Sequence, residues 1–244
     1  MPLDNATKED LYTLRYLVTN DWRAGDAKSE ASRKEALKVL DGLLGVAAAK
    51  KPSQAAGKED SSAPASWLYT GDDFPVVGVP MMPSQIGAYF AGCSPKWAKG
   101  ITIHHMAEPS LRQRPQGLLT QHMHNLRDFY RNSQGWSAGP HFFIDEDQIW
   151  PFTPANFRGV HAKSFNSAYL GIEMLGDYDS EDPWSGRGLQ VLTMTATAVA
   201  AMLRATGWPI ERINFHREDP KTQKTCPGTL IPKARFLDLV RSKL

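Results

Sequence analysis

Residues 214 to 228 read Asn-Phe-His-Arg-Glu-Asp-Pro-Lys-Thr-Gln-Lys-Thr-Cys-Pro-Gly and set His216 and Cys226 ten positions apart. An imidazole and a soft thiolate suit zinc, and a catalytic zinc takes three protein ligands and keeps its fourth position open. Two ligands on one loop therefore oblige the fold to bring a third from elsewhere in the chain. The obvious donor is the end of Ile101-Thr-Ile-His-His105, whose alternating apolar residues read as a strand.

Around that requirement the chain alternates strands and helices. Strand 101–105 is followed by a helix at about 117–131, strands at 141–145 and 148–152 joined by the turn Asp145-Glu-Asp147, and a strand at 169–175. An apolar helix at 189–206 stops at Gly207, a strand at 210–215 feeds His216, and a helix at 230–243 closes the domain. The expected fold class is α/β, a mixed central sheet flanked by helices. Ahead of it, helices are expected at 7–22, opened by Thr7 with Asp10 three positions on, and at 29–44. Residues 46–66 shift to Ala, Lys, Pro, Ser and Gly and read as a flexible linker, and 67–98 as an extended lead-in. The organisation is thus 1–45 a helical segment of unassigned role, 46–66 a linker and 67–244 the main domain.

The ordinary fate of a histidine is a hydrogen bond in the core or a place on the surface, and this chain has seven. His122 and His124 lie two apart in the expected helix, face different ways, and are read as structural. His104 and His105 are neighbours on a strand, so only one of them reaches a site on a given face. His141 opens a strand and either packs or lines a cleft. Glu173 lies between Ile172 and Met174 in an otherwise apolar strand. A buried carboxylate without a partner is costly, so Glu173 either faces solvent by alternation or points into a polar site as a general base.

Taken in order, Ile101-Thr-Ile-His104, Gly139-Pro-His-Phe-Phe-Ile144, His161, Asn166, Gly171-Ile-Glu173, Phe215-His216 and Lys224-Thr-Cys-Pro-Gly228 resemble the zinc-dependent N-acetylmuramoyl-L-alanine amidases. That superfamily takes in phage amidase lysozymes, bacterial muropeptide-recycling amidases and peptidoglycan recognition proteins. The resemblance covers about residues 98–240 and neither the N-terminal helices nor the linker. It implies Zn2+ held by His104, His216 and Cys226, with Glu173 as the catalytic base and Lys224 as an assisting cation. It also implies His161 and Asn166 in the substrate cleft, with His161 an alternative to Lys224 beside the developing oxyanion. His105 and His141 complete the residues expected to contact substrate. Many phage and recognition-protein members carry a tyrosine directly before the histidine matched by His141. Here Pro140 stands there, which shifts weight to Glu173.

The implied function is hydrolysis of the amide between N-acetylmuramic acid and L-alanine of peptidoglycan, with a phage or prophage endolysin preferred. The alternatives are a recycling amidase acting on anhydro-muropeptides, a peptidoglycan-binding module without catalysis, and a domain in which His216 and Cys226 are coincidental. Composition narrows the classes. A net charge of +2 does not call for nucleic acid as partner. Two cysteines are too few for a disulfide framework. No basic and apolar leader opens the chain, and the longest apolar stretch, Val191 to Leu203, is shorter than the ~18 residues of a membrane span. Synthesis in the cytoplasm is therefore expected, and a lytic role would call for a membrane-permeabilising partner to reach the wall.

Overall fold

The computed structural model describes residues 74–244, together with the helical positions Lys38 and Val39. The chain divides into two units, Met1–Glu59 and Asp60–Leu244, and the second carries the sheet. Apart from Lys38 and Val39, the helices expected at 7–22 and 29–44 and the linker at 46–66 lie outside the described residues.

Five short strands form one mixed sheet. They are β1 (Ile101–His105), β2 (Phe142–Ile144), β3 (Ile149–Pro151), β4 (Leu170–Met174) and β5 (Ile213–Phe215), in the order β3-β2-β4-β1-β5. β1 is parallel to both its neighbours, β4 and β5; β2 runs parallel to β4, and β3 returns antiparallel as a hairpin. The sequence pattern works because a strand's side chains alternate between faces. Ile101, Ile103, Leu170, Ile172, Met174, Ile213 and Phe215 are fully buried on one face. The other face carries Thr102, His104, Gly171 and Glu173, and its register sets His104 opposite Glu173 and Glu173 opposite Phe143.

Helices cover the apolar face. α1 (Ile86–Gly92) brings Tyr89 and Phe90 to Phe142, with ring centroids at 5.8 and 6.3 Å. α2 (Thr120–Asn132) instead borders the polar face. α3 (Gly186–Thr206) ends at Gly207 in the left-handed conformation that glycine adopts without penalty. α4 (Lys233–Arg241) seats Phe236 5.6 Å from Phe215. α3 is long and apolar enough by composition to cross a bilayer, but its apolar stripe, Val191, Leu192, Ala196, Val199 and Met202 among others, is already fully buried within the domain.

Within residues 74–244 the expected strands and helices are present, with two corrections. Residues 67–98 were expected to be extended, and 83–92 are instead a 3-10 turn followed by α1. Ile86, Tyr89 and Phe90 have helical spacing and are buried, so packing overrides the poor helix propensity of Gly87 and Gly92. Ahead of α1 the chain is extended, and Val77, Gly78 and Met81 hydrogen-bond main chain at 149–152, covering the exposed edge of β3. Residues 210–212, expected to open a strand, form a 3-10 turn that delays β5 to Ile213.

Asp145, at the β2–β3 turn, shapes the approach to α2. Its carboxylate accepts N–H groups of Leu118 (2.7 Å), Asp147 (3.2 Å) and Gln148 (2.8 Å) and the indole N–H of Trp150 (3.4 Å). Gly117 passes so close that a Cβ there would fall 2.7 Å from Oδ2, and its φ of +74° independently favours glycine. An Asp145→Asn substitution turns an amide N–H2 toward these donors, so we expect a loss of about 2–3 kcal/mol in urea unfolding. An unchanged midpoint and slope would show that the turn does not depend on the carboxylate.

Candidate active site

The carboxyl ends of β1, β4 and β5 meet at one end of a cleft of about 600 Å3. β1 delivers His104, β4 delivers Glu173, and β5 runs directly into the 3-10 turn His216–Glu218. The loop after that turn carries Lys224 and Cys226 back to the same place. One nitrogen from His104, one from His216 and Cys226 Sγ lie within 4.8 Å of one another, and all three residues are buried. Cys226 Sγ is 3.6 Å from His104 Nδ1, and the rings of His104 and His216 are 4.5 Å apart.

The cysteine loop is anchored from several sides. The Arg217 guanidinium donates to the carbonyls of Thr225 (3.2 Å), Gly228 (2.8 Å) and Ile231 (2.7 Å). Asp179 accepts the Thr225 hydroxyl (2.6 Å) and the Thr229 N–H (2.7 Å). The Tyr178 main chain lies against Gly228, where a Cβ would come within 2.5 Å of it. Asp179, inconspicuous in the sequence, therefore holds the loop that carries Cys226. Its turn, Asp177-Tyr-Asp-Ser180, was the available signal: Asp177 accepts the Asp179 N–H at 3.2 Å.

The electrostatics suit a cation. Burial holds His104 well below the ordinary imidazole range and His216 at about 4, so both are neutral near pH 7 with a lone pair to give. Burial, and then the Glu173 carboxylate, push the Cys226 thiol up, while the His105 N–H donates to Sγ at 3.4 Å and favours the thiolate. A divalent cation would reverse that balance, since a coordinating thiol loses its proton outright. Two imidazoles and one thiol fit a zinc with three protein ligands. Glu173 Oε1 lies 3.7 Å from His104 Nδ1. Burial raises its carboxyl to about 8, and Lys224 pulls in the opposite direction.

The cleft is also lined by apolar side chains, Leu126, Phe129 and Tyr130 of α2 and then Trp136. Tyr130 and Trp136 are stacked, with centroids 5.0 Å apart. Neither ring stands out in the sequence as part of a site; the spacing of Leu126, Phe129 and Tyr130 marks only an apolar helix face.

Of the residues expected at the site, His104, His105, His161, Glu173, His216, Lys224 and Cys226 line the cleft. His105 reaches it although alternation points it away from His104. Its ring stacks on Tyr178, its Nδ1 accepts the Tyr178 N–H at 3.0 Å, and Nε2 lies 3.9 Å from Asp179. His141 and Asn166 are not on the cleft wall. His141 is fully buried, with Nδ1 accepting the Gly171 N–H (2.9 Å) and Nε2 donating to Phe157 O (3.1 Å), which leaves neither nitrogen for a substrate. The Asn166 carbonyl accepts the N–H groups of His161 (2.9 Å) and Ala162 (2.7 Å), so it shapes the loop instead. His161 meets the cleft but is also bonded from behind His104, at 3.0 Å from its Nε2.

Residues 94–229 match the family model described as N-acetylmuramoyl-L-alanine amidase. Peptidoglycan-recognition protein SC2 of Drosophila melanogaster is 28% identical over 131 residues, which is 53% of this chain and 67% of that protein. Peptidoglycan-recognition protein LB of the same species is 27% identical over 131 residues, 52% of this chain, so the chain spans about half (53%) of its length. Among solved structures, the amidase LysC of Clostridium intestinale aligns with 22% identity and a TM-score of 0.47, over 59% of this chain and 86% of that one. Drosophila PGRP-LB aligns with 25% identity and a TM-score of 0.44, over 54% and 75%.

Proposed function

The chain belongs to the N-acetylmuramoyl-L-alanine amidase family, and from that premise we propose that it hydrolyses the amide joining N-acetylmuramic acid to L-alanine in peptidoglycan. The observation that carries this reading is the convergence of His104, His216 and Cys226 beside Glu173 at the end of an open cleft. Zinc held by those three residues would supply Lewis acidity and bring the pKa of water to about 7.

The chain's own groups then have separate tasks. Glu173 removes the proton from the attacking water on its carboxylate and returns it to the departing nitrogen, a role worth about 10²–10⁴-fold. Lys224, whose charge already acts on Glu173 and His104, faces the carbonyl oxygen as it becomes negative. Pro140, on the cleft wall, has no hydroxyl to share in this. Tyr130 and Trp136 offer an apolar ring surface to the remainder of the substrate.

The finer reading is a phage or prophage endolysin, made in the cytoplasm and given access to the wall by a membrane-permeabilising partner. Recognition without hydrolysis is the second reading, favoured by the recognition proteins among its relatives. The Cys226 thiol speaks for hydrolysis, since it completes a three-ligand zinc site. The test is to treat purified sacculi with zinc-loaded and chelator-stripped protein, counting new L-alanine amino termini and new reducing ends. Amino termini without reducing ends, lost on stripping and restored by zinc, are expected. Binding to sacculi with no new termini, on intact wall and on soluble muropeptides alike, would replace the amidase reading with the recognition one.

A further inference from the structure

We propose that His161 is a positioning residue that holds the proton of His104 on Nε2 and so makes His104 Nδ1 the metal-binding atom. This role rests on the zinc amidase reading and deepens it.

The direction of each hydrogen bond follows from its far end. The carbonyl of Tyr169 can only accept, and it lies 3.0 Å from His161 Nε2, so that nitrogen carries the hydrogen. A neutral imidazole has one N–H, which leaves His161 Nδ1 as an acceptor. His104 Nε2 lies 3.0 Å from that acceptor and must donate to it. His104 Nδ1 is then left bare, and it is the atom that faces Cys226 Sγ at 3.6 Å and Glu173 Oε1 at 3.7 Å. The two ring planes stand at 89° to one another, with centroids 5.1 Å apart.

Much of the stretch from Gly159 to Gly171 serves to keep the His161 ring in place. Asn166 clamps the main-chain N–H groups of residues 161 and 162. A Cβ at Gly171 would stand 2.5 Å from His161 Cγ, so this position on β4 is left bare to admit the ring over the sheet. His141 packs behind it at 5.8 Å, itself fixed at both nitrogens, and a Cβ at Gly159 would strike the His141 ring at 2.5 Å. Metal-binding histidines commonly donate their second N–H to a carbonyl or carboxylate, which fixes the tautomer and raises ligand basicity. Here a second imidazole is interposed, passing the carbonyl of Tyr169 on to His104.

The experiment begins with the metal-free wild-type protein, because it needs no variant. Long-range proton–nitrogen correlation spectra should show His104 with Nε2 protonated and Nδ1 unprotonated; a proton on Nδ1 overturns the proposal. Zinc affinity is then measured by chelator competition in His161→Phe, which keeps the ring's bulk without an acceptor. The expected loss is about 10–100-fold, with His104 no longer held in one tautomer. His161→Asn, whose carbonyl can accept from His104, should recover most of the loss. Unchanged zinc affinity in a cooperatively melting His161→Phe protein overturns the proposal. If zinc affinity falls as expected while wild-type protein fails to cleave either sacculi or muropeptides, the amidase reading fails and the role of His161 stands.

Discussion

A Cys226→Ser protein is expected to retain its fold and to lose zinc and hydrolysis together. Cys226 is the only ligand of the three that is anionic when bound, and a serine hydroxyl does not give up its proton near neutral pH in its place. Loss of an outer hydrogen-bond partner costs about 10–100-fold in metal affinity, so loss of the anionic ligand itself should exceed about 100-fold. The loop should survive, since its anchors are Arg217, Asp179 and the Gly228 approach to Tyr178, and none of them uses the sulfur. Metal analysis, a melting curve and the sacculus assay read the three expectations separately. Stoichiometric zinc with full hydrolysis in this variant would remove Cys226 from the site.

Glu173→Gln is expected to separate metal binding from chemistry. Glutamine keeps the size and a polar atom near His104 but cannot take a proton from water, so zinc should stay while kcat falls by about 10²–10⁴-fold. Stability should move the other way in metal-free protein. The folded carboxyl titrates at about 8 because burial penalises its charge, well above an unfolded glutamate near ~4.3. The folded state therefore binds more protons between these values, and its stability falls as pH rises from about 4.3 through 8. The glutamine variant lacks that loss, so it should melt higher than wild type at about pH 8 and without advantage at about pH 4. A wild-type rate in zinc-loaded Glu173→Gln would take the general-base role away from Glu173.

The strands and the cleft positions of His104, His216, Cys226 and Glu173 were legible because each is written locally. β1 alternates, β5 leads straight into His216, and Glu173 interrupts an apolar run. What could not be read depends on partners distant in sequence. Nothing around Asp145 announces that Leu118 needs its carboxylate, and nothing at 177–180 points to Thr225 and Thr229. α1 was hidden by its glycines, because its stability comes from burying Ile86, Tyr89 and Phe90. The histidines misled for a related reason: alternation predicts where a side chain leaves the sheet but not where its ring turns beyond the strand end, and His105 turns back to Tyr178.

The position of β1 also governs how the molecule is made. It is an interior strand, yet its neighbours β4 and β5 begin only at residues 170 and 213. A ribosome releasing this chain thus presents β1 early with both edges open, while β2 and β3 can already form their hairpin. The sheet cannot close until Phe215 has emerged, and such long-range pairing is slow and leaves unpaired edges available to other chains. The same segment brings His216 and then Cys226. The last strand and the site therefore complete in one late step, and a nascent chain halted before residue 213 would lack β5, His216 and Cys226.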